Sequence, residues 1–338
     1  MDFGALFGSM DSFLSFTIGG LVFGAIYALV ALGYTMVYGV LQLINFAHSE
    51  VFMYGTFAVV WVFVLLHGTG SATWSLGEAA PTLIAALIVA MIVSALIALL
   101  LERVAYRPLI KKGAPKLIIL ISAIGASFAL SEAMGLRDRF AGWVGADDTL
   151  ADYVSPDKAR DVYSNPITIQ PEPLFKIGGY SVSNVDVVII VAALLMMVAL
   201  DRFVRLTKFG RGIRSVAQDP ESAALMGVNG TRVVQLTFLI GGLAAGVAAT
   251  LYMMKIGSTR QNAGFILGVK AFTAAVMGGI GNLRGALLGG LTLGVMENWG
   301  AAVFGNEWRD VVAFILLVLV LLVRPQGILG ESLGKARA

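Results

Sequence analysis

Apolar residues in this chain gather in long blocks separated by polar stretches, at roughly 13–33, 51–66, 82–101, 117–136, 185–204, 233–254, 264–281, 285–303 and 308–323. A block of about 18 residues or more, wound as a helix, crosses roughly 30 Å of hydrocarbon. A membrane β-barrel would instead alternate over strands of about ten residues. The pattern predicts an all-α polytopic membrane protein with about nine membrane crossings. One stretch departs from it. Between the first two blocks, 34–50 is apolar but interrupted by polar side chains, and it predicts a broken or re-entrant helix.

Composition agrees. The 338 residues are 58% hydrophobic and 13% charged, with a mean hydropathy of +0.84. A soluble domain carries about 25% charged residues, so this chain has too little charge to cover a water-facing surface. Forty glycines against nine prolines suit helices whose backbones approach closely. The absence of cysteine excludes disulfides, Cys-ligated zinc and thiol catalysis, and two histidines, His48 and His67, exclude a His-rich metal site. The net charge of +3 does not imply nucleic acid, because the basic residues sit in short connections between spans, where they report topology.

Those connections set an orientation. The loop 102–116 carries Arg103, Arg107, Lys111, Lys112 and Lys116, the loop 202–214 carries Arg202, Arg205, Lys208, Arg211 and Arg214, and the tail carries Arg324, Lys335 and Arg337. All three are expected in the cytoplasm, and the Lys- and Arg-free segments 1–12 and 67–81 outside. An outer N-terminus and an inner C-terminus need an odd number of crossings, which nine supplies if 34–50 makes no net crossing. No cleavable signal is expected: Asp2 and Asp11 are acidic, and the first basic residue is Arg103. The stretch 137–184, with Asp147, Asp148, Asp152, Asp157, Asp161, Pro156, Pro166, Pro171 and Pro173, is an extracytoplasmic loop, read either as a docking surface or lid or as a solvated connector.

Three segments stand out. In Tyr38 to Glu50, the residues Gln42, Asn45, His48 and Glu50 fall between apolar stretches, with Gly33 and Gly39 permitting local unwinding. Polar groups at membrane depth are retained where they are paired or line a wet cavity. The segment is therefore either a broken helix lining a permeation path or an interfacial turn. In Val276 to Gly290, glycines including Gly278, Gly279 and Gly281 surround Asn282 and Arg284. No G-K-[ST] ending and no preceding strand make a phosphate loop of it, and a tight helix–turn–helix is expected. In Lys208 to Asn229, Asp219 can cap a short helix with Pro220 at its first position. Ala223, Ala224, Leu225 and Met226 give that helix a small apolar face, and Gly227 ends it. It has the form of an element that sits in a partner's groove, or of a plain amphipathic connector. No enzyme motif is present. Glu132, Glu297 and Asp201 fall near expected span ends, where snorkelling or loop contacts account for them. No row of acidic groups suggests an ion relay.

These segments carry a resemblance. G-A-I-Y-A-L-V-A-L-G-Y-T-M-V-Y-G-V-L-Q-L-I-N-F-A-H-S-E, K-A-F-T-A-A-V-M-G-G-I-G-N-L-R-G-A-L-L-G-G from Lys270, and G-R-G-I-R-S-V-A-Q-D-P-E-S-A-A-L-M-G-V-N resemble, in the same order, the signatures of LivH-type permeases. These are membrane subunits of ABC importers for branched-chain amino acids. Ser49 stands where a glycine commonly follows the histidine, and the outer loop is longer and more acidic than usual. The resemblance implies one transmembrane permease domain over 1–338. It makes 205–232 a cytoplasmic ATPase-coupling loop using Asp219, Glu221, Ala224, Leu225 and Gly227. It implies a substrate pathway near Gln42, Asn45, His48, Glu50 and Asn282, with helix breaks at Gly33, Gly39, Gly278, Gly279 and Gly281. Its implied partners are a second homologous permease, two ATP-binding subunits holding ATP and Mg, an extracytoplasmic substrate-binding protein and membrane lipid, in a bacterial inner membrane. A urea or short-amide permease of the same architecture and an ion-coupled secondary transporter are the alternatives.

Overall fold

The computed structural model describes residues 3–145, 152–153, 160–324 and 326–330. Asp2, Asp147, Asp148, Pro156, Asp157, Lys335 and Arg337 lie outside them. Among the described residues, seven helices are long and apolar enough to cross a membrane: Met10–Leu41, His48–His67, Leu76–Lys111, Lys116–Gly135, Asn184–Leu206, Gly230–Ile256 and Leu283–Phe304. Two shorter ones, Ala263–Gly278 and Arg309–Val323, have 16 and 15 residues.

The first helix corrects two expectations. Gly33 and Gly39 lie inside Met10–Leu41, which runs on without a break to Gln42. Away from water an unwound backbone has no replacement hydrogen-bond partners, so a glycine in an apolar span stays helical. The chain leaves the helix at Gln42, whose φ of 51° is left-handed and whose N–H closes on Tyr38 O at 2.8 Å. The interruption is therefore 42–47, shorter than 34–50. The basic loop expected at 102–116 is also shorter, because the helix continues through a π-helical turn, Glu102–Tyr106, to Lys111.

Packing divides the chain into two compact units. The first comprises Met1–Gln42, Pro173–Gly230 and Val269–Ala338. Its axis is the antiparallel pair Met10–Leu41 and Leu283–Phe304, joined backbone to backbone. A Cβ on Gly24 would stand 2.6 Å from Gly290 O, and one on Gly20 2.7 Å from Val295 Cα. Small residues spaced by four let membrane helices approach this closely. A hairpin, Pro173–Ile177 with Tyr180–Ser183, precedes the Asn184–Leu206 helix, which starts on a capping box of Ser183 and Asp186.

The second unit comprises Leu43–Glu172 and Thr231–Gly268. His48–His67 is mostly buried in it, and Ser94 Oγ donates to Val51 O at 3.1 Å. Gly246 meets Met91 Cα at 2.5 Å from its would-be Cβ. Part of the long polar stretch belongs to this core and is no solvated connector. Tyr163 and Ile167 are buried against Phe57, Phe63 and Met253. Ile167–Ile169 pairs in parallel with Ala72–Trp74, and Tyr163–Ser164 pairs antiparallel with Ser258–Thr259. Burial pushes the Tyr163 hydroxyl up to about 12 and lowers the pKa of Arg137, which stacks over the Phe57 ring at 4.8 Å.

Candidate functional site

The interrupted segment distributes its polar groups unevenly. Gln42, in the first unit, is exposed and donates from Nε2 to Ala217 O at 3.5 Å. It sits beside the Lys208–Gln218 helix. In the second unit, Asn45 is 2% exposed and its Oδ1 accepts from the Tyr106 hydroxyl at 2.8 Å. Tyr106 stands in the π-helical turn, edge-on to Phe238. The wider turn also lets Glu102 reach five residues along to Arg107, at 2.6 and 3.0 Å. Asn45 is thus a buried tie between the break and the helix that carries Tyr106.

His48 opens its helix, fully buried, and its N–H donates to Asn45 O at 3.0 Å. Glu50 lies two residues further in. Its Oε1 accepts from Ser127 at 3.2 Å and Ser49 at 3.4 Å. Its Oε2 is buried without a hydrogen-bond donor among the described residues. A Cβ on Gly264 would stand 3.0 Å from that oxygen, so the first turn of Ala263–Gly278 begins against it. A helix N-terminus is the favourable end for a carboxylate.

The glycine-rich segment forms the expected helix–turn–helix. Gly278 closes one helix, Gly279 and Gly281 take φ of 106° and 95°, and Asn282 caps the next. The Asn282 side chain is committed to that turn. Its Oδ1 accepts from the N–H groups of Arg284 (3.0 Å) and Gly285 (3.2 Å), and its Nδ2 donates to Leu329 O at 2.9 Å. The side chain serves the helix start.

In the segment 205–232, Asp219 Oδ1 accepts from the N–H of Glu221 at 3.0 Å and of Ser222 at 3.3 Å. Hydrogen bonds from Ser222 hold its carboxyl below the usual range. Pro220–Leu225 follows, and Gly227, at φ 83°, donates to Ala224 O at 3.0 Å. Ala223 faces inward, while Leu225 and Met226 are 89% and 84% exposed. Two large apolar side chains thus form an exposed knob at the tip of a capped turn.

One charged group escaped the sequence reading. Glu297, expected near a span end, lies in the interior of Leu283–Phe304 and is 3% exposed. Lys270 Nζ lies 2.6 Å from Glu297 Oε1 and 2.8 Å from Asp310 Oδ1, and 5.7 Å from the Tyr27 ring centre. The signal was present: a cation inside one apolar block and an anion inside the next. Neighbouring it, Arg309 donates to Asn298 at 2.9 Å, Asn298 to Phe16 O at 2.7 Å, and Trp299 to Thr17 at 3.0 Å.

Comparison with known proteins gives a consistent result. The family described as "Branched-chain amino acid transport system / permease component" matches residues 16–321. The chain is 41% identical over 322 residues to the high-affinity branched-chain amino acid transport system permease protein BraD of Pseudomonas aeruginosa, covering 94% of this chain and 96% of the relative. It is 39% identical over 320 residues to the corresponding protein LivH of Salmonella typhimurium, and 38% identical to that of Escherichia coli, each covering 94% of this chain and 96% of the relative. No solved structure matches.

Proposed function

The chain belongs to the permease family of branched-chain amino acid transport systems, and on that premise we propose that it is the membrane-spanning subunit of an ABC importer for branched-chain amino acids. The observation that carries the reading is end-to-end similarity to permeases of that name, at 41% identity over 94% of this chain. ATP and Mg are held by two partner ATPase subunits. A second related permease completes the membrane part, and an extracytoplasmic binding protein delivers the substrate.

Seven long helices, with Ala263–Gly278 and Arg309–Val323 added, make nine crossings of a bacterial inner membrane. An odd number puts the two termini on opposite sides, and we place the N-terminus outside and the C-terminus in the cytoplasm. The basic residues Arg103, Arg107, Lys111 and Lys112 at one helix end, and Arg202, Arg205, Lys208, Arg211 and Arg214 at another, support this orientation. The knob of Leu225 and Met226 then points to the cytoplasm, where it receives motion from an ATPase groove. Glu50, with one buried oxygen free of donors among the described residues, is the pathway residue with the clearest capacity to meet a substrate's ammonium group.

The test is uptake by the complete complex in vesicles with its binding protein. Leucine competes for uptake and urea does not. Competition by urea at equal strength overturns the substrate assignment. Glu50→Gln lowers uptake while assembly is retained; unchanged uptake removes Glu50 from the route.

A further inference from the structure

The coupling segment is rigidly jointed to the helix before it. Thr207 Oγ1 donates to Phe203 O at 2.7 Å and accepts from Gly210 N at 2.9 Å. The Arg214 guanidinium donates to Val204 O. A Cβ on Gly210 would stand 2.5 Å from the Val204 carbonyl carbon, so the two backbones touch. The Lys208–Gln218 helix cannot swing without carrying the end of Asn184–Leu206 with it.

That end carries Asp201. Its Oδ1 meets Arg205 Nε at 2.9 Å, and its Oδ2 meets Arg284 Nη2 at 3.1 Å. Arg284 stands in the first turn of Leu283–Phe304, where Asn282 fixes the Arg284 N–H and ties the turn to Leu329. Beyond it, the helix meets Met10–Leu41 backbone to backbone at Gly290 and Gly294, where no long side chain stands between to absorb a displacement. A continuous chain of polar contacts therefore runs from the coupling segment through Asp201 and Arg284 into the glycine-packed axis of the first unit. Arg205 and Arg284 are more than half exposed, and pairs of that kind add little to stability.

We infer that Asp201 and Arg284 are positioning residues that pass movement of the coupling segment to the Leu283–Phe304 helix. Neither touches substrate or nucleotide. The inference rests on the reading of 205–232 as the ATPase-coupling loop, and it adds the element to which the motion is delivered.

The experiment measures substrate taken up per ATP hydrolysed by the complete complex in vesicles with binding protein. Asp201→Asn and Arg284→Gln each retain the partner subunits and hydrolyse ATP, but the uptake-to-ATP ratio falls about fivefold or more, the range of a coupling interaction. Asp201→Glu and Arg284→Lys recover most of it. An unchanged ratio in the assembled variants overturns the inference, and so does a parallel fall of uptake and hydrolysis, which marks a role in assembly alone. If one variant does not accumulate in the membrane, the other carries the test, since each breaks the same pair. Leu225→Asp is the control. Full stimulation of ATP hydrolysis by liganded binding protein in that variant overturns the coupling-loop reading itself. Loss there, with no effect at Asp201 and Arg284, overturns only the positioning role.

Discussion

The ammonium of Lys270 lies 2.6 Å from the carboxylate of Glu297, within the apolar helices of the first unit. Glu297 is buried, while Asp310, the second carboxylate on Lys270, is 58% exposed. Breaking a buried pair by removing one partner costs about 3–5 kcal/mol, whereas replacing both by apolar groups of similar size is near neutral. Lys270→Met is therefore expected to lower the unfolding temperature of the detergent-solubilised protein markedly, and Lys270→Met with Glu297→Met to recover most of the loss. A double variant no more stable than the single one would contradict this account.

Much of the fold was legible because a bilayer permits few solutions. Long apolar blocks had to be helices, and their approximate bounds followed. The break near Gln42 was misplaced because glycine signals a bend in water more readily than in an apolar bundle, where Gly33 and Gly39 remain helical. The cap at Asp219 was readable from local sequence, since Asp, Pro and Gly at fixed spacing act on their own backbone. The ties Asn45–Tyr106 and Lys270–Glu297 were not, since each joins residues 61 and 27 positions apart. Hydropathy registers that a polar residue interrupts a block; it does not register what that residue meets.

The Asn45–Tyr106 bond gives Asn45 a structural role that can be separated from transport. Tyr106→Phe keeps the ring against Phe238 and removes the donor to Asn45 Oδ1. Leaving a buried acceptor unsatisfied costs about 1–3 kcal/mol. The variant is expected to be less stable in detergent, with uptake per folded molecule unchanged. A fall in uptake per folded molecule at unchanged stability would place Asn45 on the substrate route instead.

The axis of the first unit sets a sharp contrast between glycines. A Cβ on Gly290 would stand 2.6 Å from Ala28 Cα, whereas one on Gly125 meets nothing within 4 Å. Backbone cannot yield as a side chain tip can, and overpacking costs about 1–3 kcal/mol or more. Gly290→Ala is expected to reduce the amount of folded permease in the membrane, and Gly125→Ala to leave it unchanged or slightly raised, because alanine favours the helix. Equal accumulation of the two variants, measured by size-exclusion profile, would argue against backbone contact at Gly290.

The cap at Asp219 predicts both a substitution pattern and a pH response. Asp219→Ala removes the acceptor for the N–H groups of Glu221 and Ser222 and loosens the short helix. Asp219→Asn keeps an oxygen in place and is expected to behave as the parent. Hydrogen bonds hold the Asp219 carboxyl below its ordinary value of 3.8. Because the folded value is the lower one, the stabilisation is complete above the unfolded value and is lost as pH falls through the folded one. Amide hydrogen exchange at Glu221 and Ser222 should then show protection that is constant through neutral and mildly acidic pH. Protection should be weaker in Asp219→Ala at every pH and retained in Asp219→Asn. Equal protection in Asp219→Ala would mean that packing of Ala223, and not the cap, holds the helix that carries Leu225.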